Sequence, residues 1–383
     1  MTARRFRIRR DIVWQALFLA AVIGMGTLVV HTASENLSRL SIRSGYGFLW
    51  DKAPFELGES LIPYRAGDTY FRAFLVGILN TLKVALLGIV LSTVIGTAIA
   101  IGQLSQSVVV ARACRFYIET VRNVPLLLQL IFWHTVITRG LPPVRRALSP
   151  VEGIYLSNRG LFVPALGAHP AYGQMFVGLL AGIGAAALIG WLSIRRRRLT
   201  GAGLPWPGLM GLAAIVCLPL AVFLAHGAPV VLDTPALKGF NFTGGASVSP
   251  EFAAVLLGLT LYTASFNAEI IRAGILGVPS GQMEAGRALG LRRGRIMRLV
   301  ILPQAMRIAI PPLTNSYLNL IKESSLSVAI GYPEVVRVAN ITLSETNQSI
   351  ECVSIIVAVY LCFSLVTALI GNRVNRAAAL VER

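Results

Sequence analysis

Asn315, Asn319, Lys322 and Glu323 recur every three or four residues in a largely apolar stretch, and Ser324 and Ser325 follow directly. That spacing gathers amide, carboxylate and ammonium groups on related faces of one helix. Ionisable groups at membrane depth are expensive and by default mark function. Two uses fit the set: a polar face lining a pathway, or hydrogen bonds between helices. At the helical rise Lys322 lies roughly 28 Å beyond Pro303, towards the far side of a bilayer. Pro311 and Pro312 are expected to break the helix, which is tolerated at depth where backbone lines a cavity or is buried in protein. Gln129, Asn123 and Asn267 are further polar candidates. Glu119 and Arg122 lie three apart, as do Glu269 and Arg272. Both pairs are expected near the cytoplasmic ends of their spans, as ion pairs tying the bundle together; a gate or substrate role is the other use.

These groups need a membrane around them, and the composition supplies one. The 383 residues are 55% hydrophobic and 14% charged, with mean hydropathy +0.68, which excludes a soluble domain. A span needs about 20 mostly apolar residues. Eight segments qualify: Ile12–Val30, Phe74–Gly102, Arg115–Ile137, Gly173–Ser193, Pro207–Leu224, Phe252–Ile275, Gln304–Ile330 and Cys352–Ile370. The first follows Arg4, Arg5, Arg7, Arg9 and Arg10 and lacks a small-x-small cleavage site, so an uncleaved span is expected rather than a signal peptide. The net charge of +18 comes from arginines at span ends, which reads as topology and anionic lipid, not nucleic acid. Arg195–Arg198 and the arginines from Arg287 to Arg298 fall on the cytoplasmic side if both termini do.

The expected organisation is a tail, first span and outer segment over 1–72, core helices over 73–140, an inserted outer segment with a peripheral helix pair over 141–250, and core helices over 251–383. The inserted pair is poor in intramembrane polar groups, as lipid-facing spans are. Its Arg195–Arg198 run is a topology anchor or a lipid site. Cys114, Cys217, Cys352 and Cys362 lack metal-ligand spacing and read as packing residues; no metal site is expected. No G-x-x-x-x-G-K-[ST] phosphate loop occurs, so any ATP hydrolysis belongs to another chain.

The loop over 276–303 carries the strongest pattern. Pro279 and Ser280 open a short helix, with Ser280 a possible cap; Glu284 suits the helix start, and Gly290 suits the left-handed position past its end. A second, amphipathic helix bears Arg292, Arg293, Arg295 and Arg298. Glu284-Ala285-Gly286, then Arg287, Gly290, Val300 and Leu302-Pro303, resembles the EAA loop of ABC importer membrane subunits. Gly286 and Val300 stand where that family usually has Ala and Ile. Asn80-Thr81-Leu82, Tyr117 to Leu127, Pro311 to Asn319 and Lys322 to Leu326 resemble the polar amino-acid uptake subfamily that contains the histidine and glutamine permeases. The extra spans and Ser44-Gly45-Tyr46-Gly47-Phe48-Leu49 are most similar to the Q-type permease of the general L-amino-acid transporter.

The resemblance implies an all-α polytopic bundle of the type I ABC importer permease fold, in a bacterial inner membrane with both termini cytoplasmic. It implies an M-type partner permease, two ATPase subunits that hold ATP and Mg, and a periplasmic binding protein that delivers an L-amino acid. Glu284, Ala285, Gly286, Arg287, Gly290, Leu302 and Pro303 would couple to the ATPases, Ala285 and Gly286 keeping the docked face thin. This chain would need no cofactor. An amino acid needs acceptors for its ammonium and donors for its carboxylate: Glu323, Asn315 and Asn319 could serve the first, Lys322, Ser324 and Ser325 the second. An ion-driven secondary transporter is the alternative, but no internal repeat is visible. A membrane enzyme would need a nucleophile–base or metal constellation, and none is evident.

Overall fold

The computed structural model describes residues 13–28, 31–32, 45–167, 169–200, 203–227 and 232–378. Ile12, Val30, the arginines from Arg4 to Arg10, and Ser44 lie outside them. The helices are α1 (Val13–Leu28), α2 (Tyr70–Gln103), α3 (Val108–Asn123), α4 (Leu126–Gly140), α5 (Pro170–Thr200), α6 (Pro207–Ala225), α7 (Pro250–Leu276), α8 (Ser280–Ala288), α9 (Arg293–Ile296), α10 (Leu302–Glu323), α11 (Val335–Thr346) and α12 (Ser349–Ala378). Among the described residues six helices are long and apolar enough to cross a membrane: Tyr70–Gln103, Ala171–Arg197, Pro207–Ala225, Pro250–Leu276, Arg293–Ile330 and Ser349–Arg376.

The third expected span, Arg115–Ile137, is two helices. Pro125 has no amide to donate and holds Val124 extended at φ −98° and ψ 125°. Gln129 Nε2 bridges the break, donating to the carbonyls of Val121 and Val124 at 2.9 Å each. So α3 starts at Val108, seven residues before the expected start, and its end sits inside the apolar run rather than at its edge. The expected break at Pro311-Pro312 is absent: α10 runs through both prolines. Tertiary packing overrides the lost ladder bonds, with Ala305, Ala309, Leu313, Leu320 and Ile321 buried on one side and Thr314 against Gly371 of α12.

Contacts divide the chain into two units, residues 1–134 with 254–383, and residues 135–253. In the first, small residues let helices touch. A Cβ on Gly96 would lie 2.8 Å from Asn267 Cβ, so α2 and α7 meet there, and Gly88 accommodates Leu320. Residues 45–69 pack within this unit. Phe48 is buried with Tyr70, Val335 and Val338, the Gly45 amide donates to Glu351 Oε1 (2.6 Å), and Tyr46 Oη meets Ser354 Oγ (2.7 Å).

The second unit contains the α5–α6 hairpin and eight short strands that hydropathy did not pick out. They are β1 (Leu148–Val151), β2 (Ile154–Ser157), β3 (Gly160–Val163), β4 (Ala165–Leu166), β5 (Leu232–Asp233), β6 (Ala236–Lys238), β7 (Asn241–Thr243) and β8 (Ala246–Val248). They form a four-stranded antiparallel sheet in the order β1-β2-β3-β8 and two two-stranded pairs, β4-β5 and β6-β7. Runs of two to four residues are too short for alternation to show in the sequence. A small aromatic core of Tyr155, Phe162 and Phe242 holds them, with Tyr155 and Phe242 stacked at 4.5 Å.

Candidate functional site

One cavity of about 420 Å³ lies between α7 and α10, lined by Tyr262, Thr263, Phe266 and Ile270 from one helix and Pro312, Asn315, Ser316, Asn319 and Glu323 from the other. Asn315, Asn319 and Glu323 fall at four-residue steps, so the unbroken α10 stacks them along one wall. Among the described residues none of the three makes a side-chain hydrogen bond or ion pair within the chain. Asn315 and Asn319 are exposed in this chain and Glu323 is half-buried, so their polar groups are open to a partner from outside the chain.

The remaining polar candidates lie elsewhere. Lys322 is exposed and off the cavity wall. Ser324 Oγ and Ser325 Oγ turn back onto the carbonyls of Ile321 and Lys322, each at 2.7 Å, as the chain tightens into a 3-10 turn over Ser324–Ile330. Gln129 closes the α3–α4 break, and Asn123 is exposed at the end of α3. Asn267 is fully buried behind the wall, accepting from Ser316 Oγ (2.7 Å) and donating to Ser92 Oγ (3.3 Å), so it locks α2, α7 and α10 together. Sequence reasoning missed the aromatic wall: Tyr262, Thr263 and Phe266 follow helical spacing, but nothing in their types separates them from ordinary core.

The two charged pairs part company. Arg272 holds Glu269 through Nη2 (2.8 Å) and Nε (3.2 Å) to Oε2, the ion pair expected. No ion pair joins Glu119 to Arg122 among the described residues. Arg122 sits in the last turn of α3, at the helix break, and its side chain is taken up by α7 instead. There its guanidinium covers Phe266, 4.6 Å from the ring centre. Glu119 instead lines a second cavity of about 510 Å³ with Gln103, Arg115, Ile118, Glu269 and Arg272. The Arg122–Phe266 contact thus lies beside the first cavity, while Glu119 and Glu269, one helical turn away along their helices, face the second.

The loop folds as a docked helix with a sharp exit. Leu291 N donates to Gly286 O (3.1 Å) and Gly290 N to Arg287 O (2.9 Å), the paired bonds of a Schellman end, and Gly290 is left-handed at φ 71°. Ser280 does not cap; Pro279 occupies that position without a side-chain bond, and Glu284 falls beyond the first turn. Gly286 faces inward, not onto a docked face: a Cβ there would lie 2.9 Å from Ile296 Cγ1, and Ile296 is fully buried with Val278, Ile301 and Ala305. Glu284, Ala285, Arg287 and Leu289 point away, Leu289 being 78% exposed. A π-turn over Met297–Ile301 joins α9 to α10 ahead of Leu302-Pro303, where Pro303 offers no amide to the ladder.

A third polar node anchors α11. Asn80 Nδ2 donates to Glu59 O (3.0 Å) and Pro333 O (2.9 Å), Thr81 Oγ1 accepts from Val335 N (3.2 Å), and Lys83 pairs with Glu59. Glu334, fully buried, caps α11 through the Arg337 amide (2.9 Å) and accepts from Tyr360 Oη (3.0 Å). Burial pushes its carboxyl up to about 7 against these bonds.

Residues 88–379 match the family described as binding-protein-dependent transport system inner membrane component. The chain is 44% identical over 377 residues to the general L-amino acid transport system permease protein AapQ of Rhizobium johnstonii, covering 98% of this chain and 93% of that protein. It is 42% identical over 376 residues to the putative amino-acid ABC transporter permease protein YhdX of Escherichia coli, covering 97% and 94%. It is 37% identical over 414 aligned positions to the glutamate/glutamine/aspartate/asparagine transport system permease protein BztB of Rhodobacter capsulatus, covering 99% and 95%.

Proposed function

The chain belongs to the family of inner membrane components of binding-protein-dependent transport systems and is an amino-acid ABC transporter permease subunit, and on that premise we propose that it conducts L-amino acids handed over by a periplasmic binding protein, driven by ATPase subunits that grip its 276–303 loop. The names of the relatives support L-amino acids as the substrate class, and the first supports a Q-type role; an M-type permease as its partner is part of the same reading. Both termini lie in the cytoplasm in this reading, as the arginine distribution favours.

The observation that carries the reading is the unpaired polar wall of Asn315, Asn319 and Glu323 facing the α7 aromatics. Glu323 and the two amides accept from the substrate ammonium. The carboxylate needs a cation, and Lys322, Ser324 and Ser325 are turned elsewhere. Arg122, over the ring of the cavity residue Phe266, supplies it. A guanidinium freed from Glu119 and parked on a ring can swing to a carboxylate without breaking an ion pair.

Coupling follows from the loop. Leu289, Ala285 and Glu284 form the outward contact with the ATPase, while Gly286 lets α8 sit tightly on Ile296, so a push on α8 passes into α10 and its polar wall. Nucleotide then biases two packings of the bundle. The test is uptake and substrate-stimulated ATPase in the assembled complex carrying Glu323→Ala with Asn319→Ala. Loss of both, with assembly intact, is expected; unchanged transport and stimulation would remove the cavity from the pathway.

A further inference from the structure

The helix pair α5–α6 meets along one face in a regular register and then opens. A Cβ on Gly178 would lie 3.3 Å from Pro219 Cα, one on Gly182 2.6 Å from Ala214 O, and one on Gly211 3.2 Å from Ala186 Cβ. The next step of that ladder pairs Gly190 with Gly208, and there nothing lies within 4 Å of either position. The helices splay at this point into a cleft of about 590 Å³. On α5, Gly190, Ser193, Ile194 and Arg197 line it at helical spacing; on α6, Pro207, Gly208, Gly211, Leu212 and Ile215 do. Ser193 Oγ accepts from Leu204 N (3.2 Å), which ties the connecting loop across the end.

The walls are apolar and the open end is cationic and aromatic. Arg197 stands at the mouth beside exposed Arg195 and Arg196, and Arg195 covers the ring of Trp191 at 5.3 Å. Trp206, 77% exposed, flanks the other helix. Tryptophan and arginine at one level mark a membrane–water boundary, and basic pockets between helices take anionic headgroups. A topology anchor alone needs the arginines; it does not need two facing glycines that leave an acyl-width slot beneath them.

We propose that this cleft holds one anionic phospholipid of the surrounding bilayer, its phosphate on Arg197 and an acyl chain between Gly190 and Gly208. The occupant is a membrane lipid because the cleft is walled mostly by apolar side chains and carries one cation, Arg197, at its edge. The site belongs to the helix pair itself and does not depend on the pathway assignment.

The complete transporter complex, reconstituted in nanodiscs of phosphatidylcholine containing a minor fraction of phosphatidylglycerol, is released gently and its retained lipid counted by native mass spectrometry. Wild type is expected to keep phosphatidylglycerol in excess over its share of the bilayer. Arg197→Gln lowers that preference roughly fivefold, the scale expected for one interfacial arginine, while leaving a lipid in the slot. Gly190→Leu with Gly208→Leu fills open space and removes the retained lipid of either kind. Phosphatidylglycerol retained equally by wild type and the arginine variant, or by wild type and the glycine variant, overturns the proposal. The arginine variant changes only an exposed side chain, so its readout stands even if the glycine variant assembles poorly.

Discussion

Glu334 is a carboxyl group held away from water beside Tyr332, Val335 and the α12 residue Tyr360, and burial pushes it up from 4.5 to about 7. Its folded-state pKa lies above the unfolded one, so the unfolded chain releases this proton first as pH rises. Its contribution to stability is greatest below about 4.5, falls between the two values, and levels off above about 7. The shift corresponds to on the order of 3 kcal/mol. Thermal unfolding in detergent should therefore occur at higher temperature at pH 5.5 than at pH 8. Glu334→Gln keeps a cap acceptor for the Arg337 amide and should flatten that dependence. A second prediction at this scale concerns Arg122. If it receives the substrate carboxylate, the wild-type complex discriminates an L-amino acid from its amide, and Arg122→Gln loses that discrimination with a KM rise of about ten- to a hundredfold, as for a lost charge-assisted contact. Competition uptake assays read this; preserved discrimination would return Arg122 to a structural role. Glu323, Asn315 and Asn319 were legible from spacing alone. Arg122 was not, because its partner Phe266 lies on another helix and charge pairing at three residues offered a nearer one in the sequence.

The coupling loop shows what spacing can and cannot fix in an element. Gly290 was legible as a left-handed helix end because its residue type and its place after a short amphipathic run agree. Gly290→Val puts a β-branched residue at φ 71°, a strain of about 1–2 kcal/mol or more with no steric cause besides the backbone. ATPase stimulation by the loaded binding protein should drop in that variant, and Gly290→Asn, which tolerates the left-handed region, should retain most of it. Gly286 was misassigned in direction: the sequence could not tell whether a small residue thins the outer face or the inner one, and Ile296 decides it. Leu289→Glu, by the same geometry, should weaken copurification of the ATPase without altering the bundle. The α3–α4 break at Pro125 and the continuous α10 through Pro311-Pro312 teach a paired lesson. Proline chemistry is the same in both, but α10 continues through its prolines packed along α12, with Thr314 against Gly371.

For the molecule as a whole, hydropathy located the long apolar helices well, since bilayer thickness constrains them all alike. It passed over the strands of residues 148–166 and 232–248, whose stability comes from a three-ring aromatic core and not from local pattern. A member of this family works in an assembly, and its loop presents the exposed Leu289 outward. The decisive measurement is labelled L-amino acid uptake into proteoliposomes containing this chain with its partner permease and ATPase, loaded binding protein outside and ATP inside. The account predicts uptake that needs the internal ATP, ignores imposed ion gradients, and vanishes with Glu323→Ala and Asn319→Ala. Accumulation by this chain alone, driven by an ion gradient in the absence of nucleotide, would contradict it.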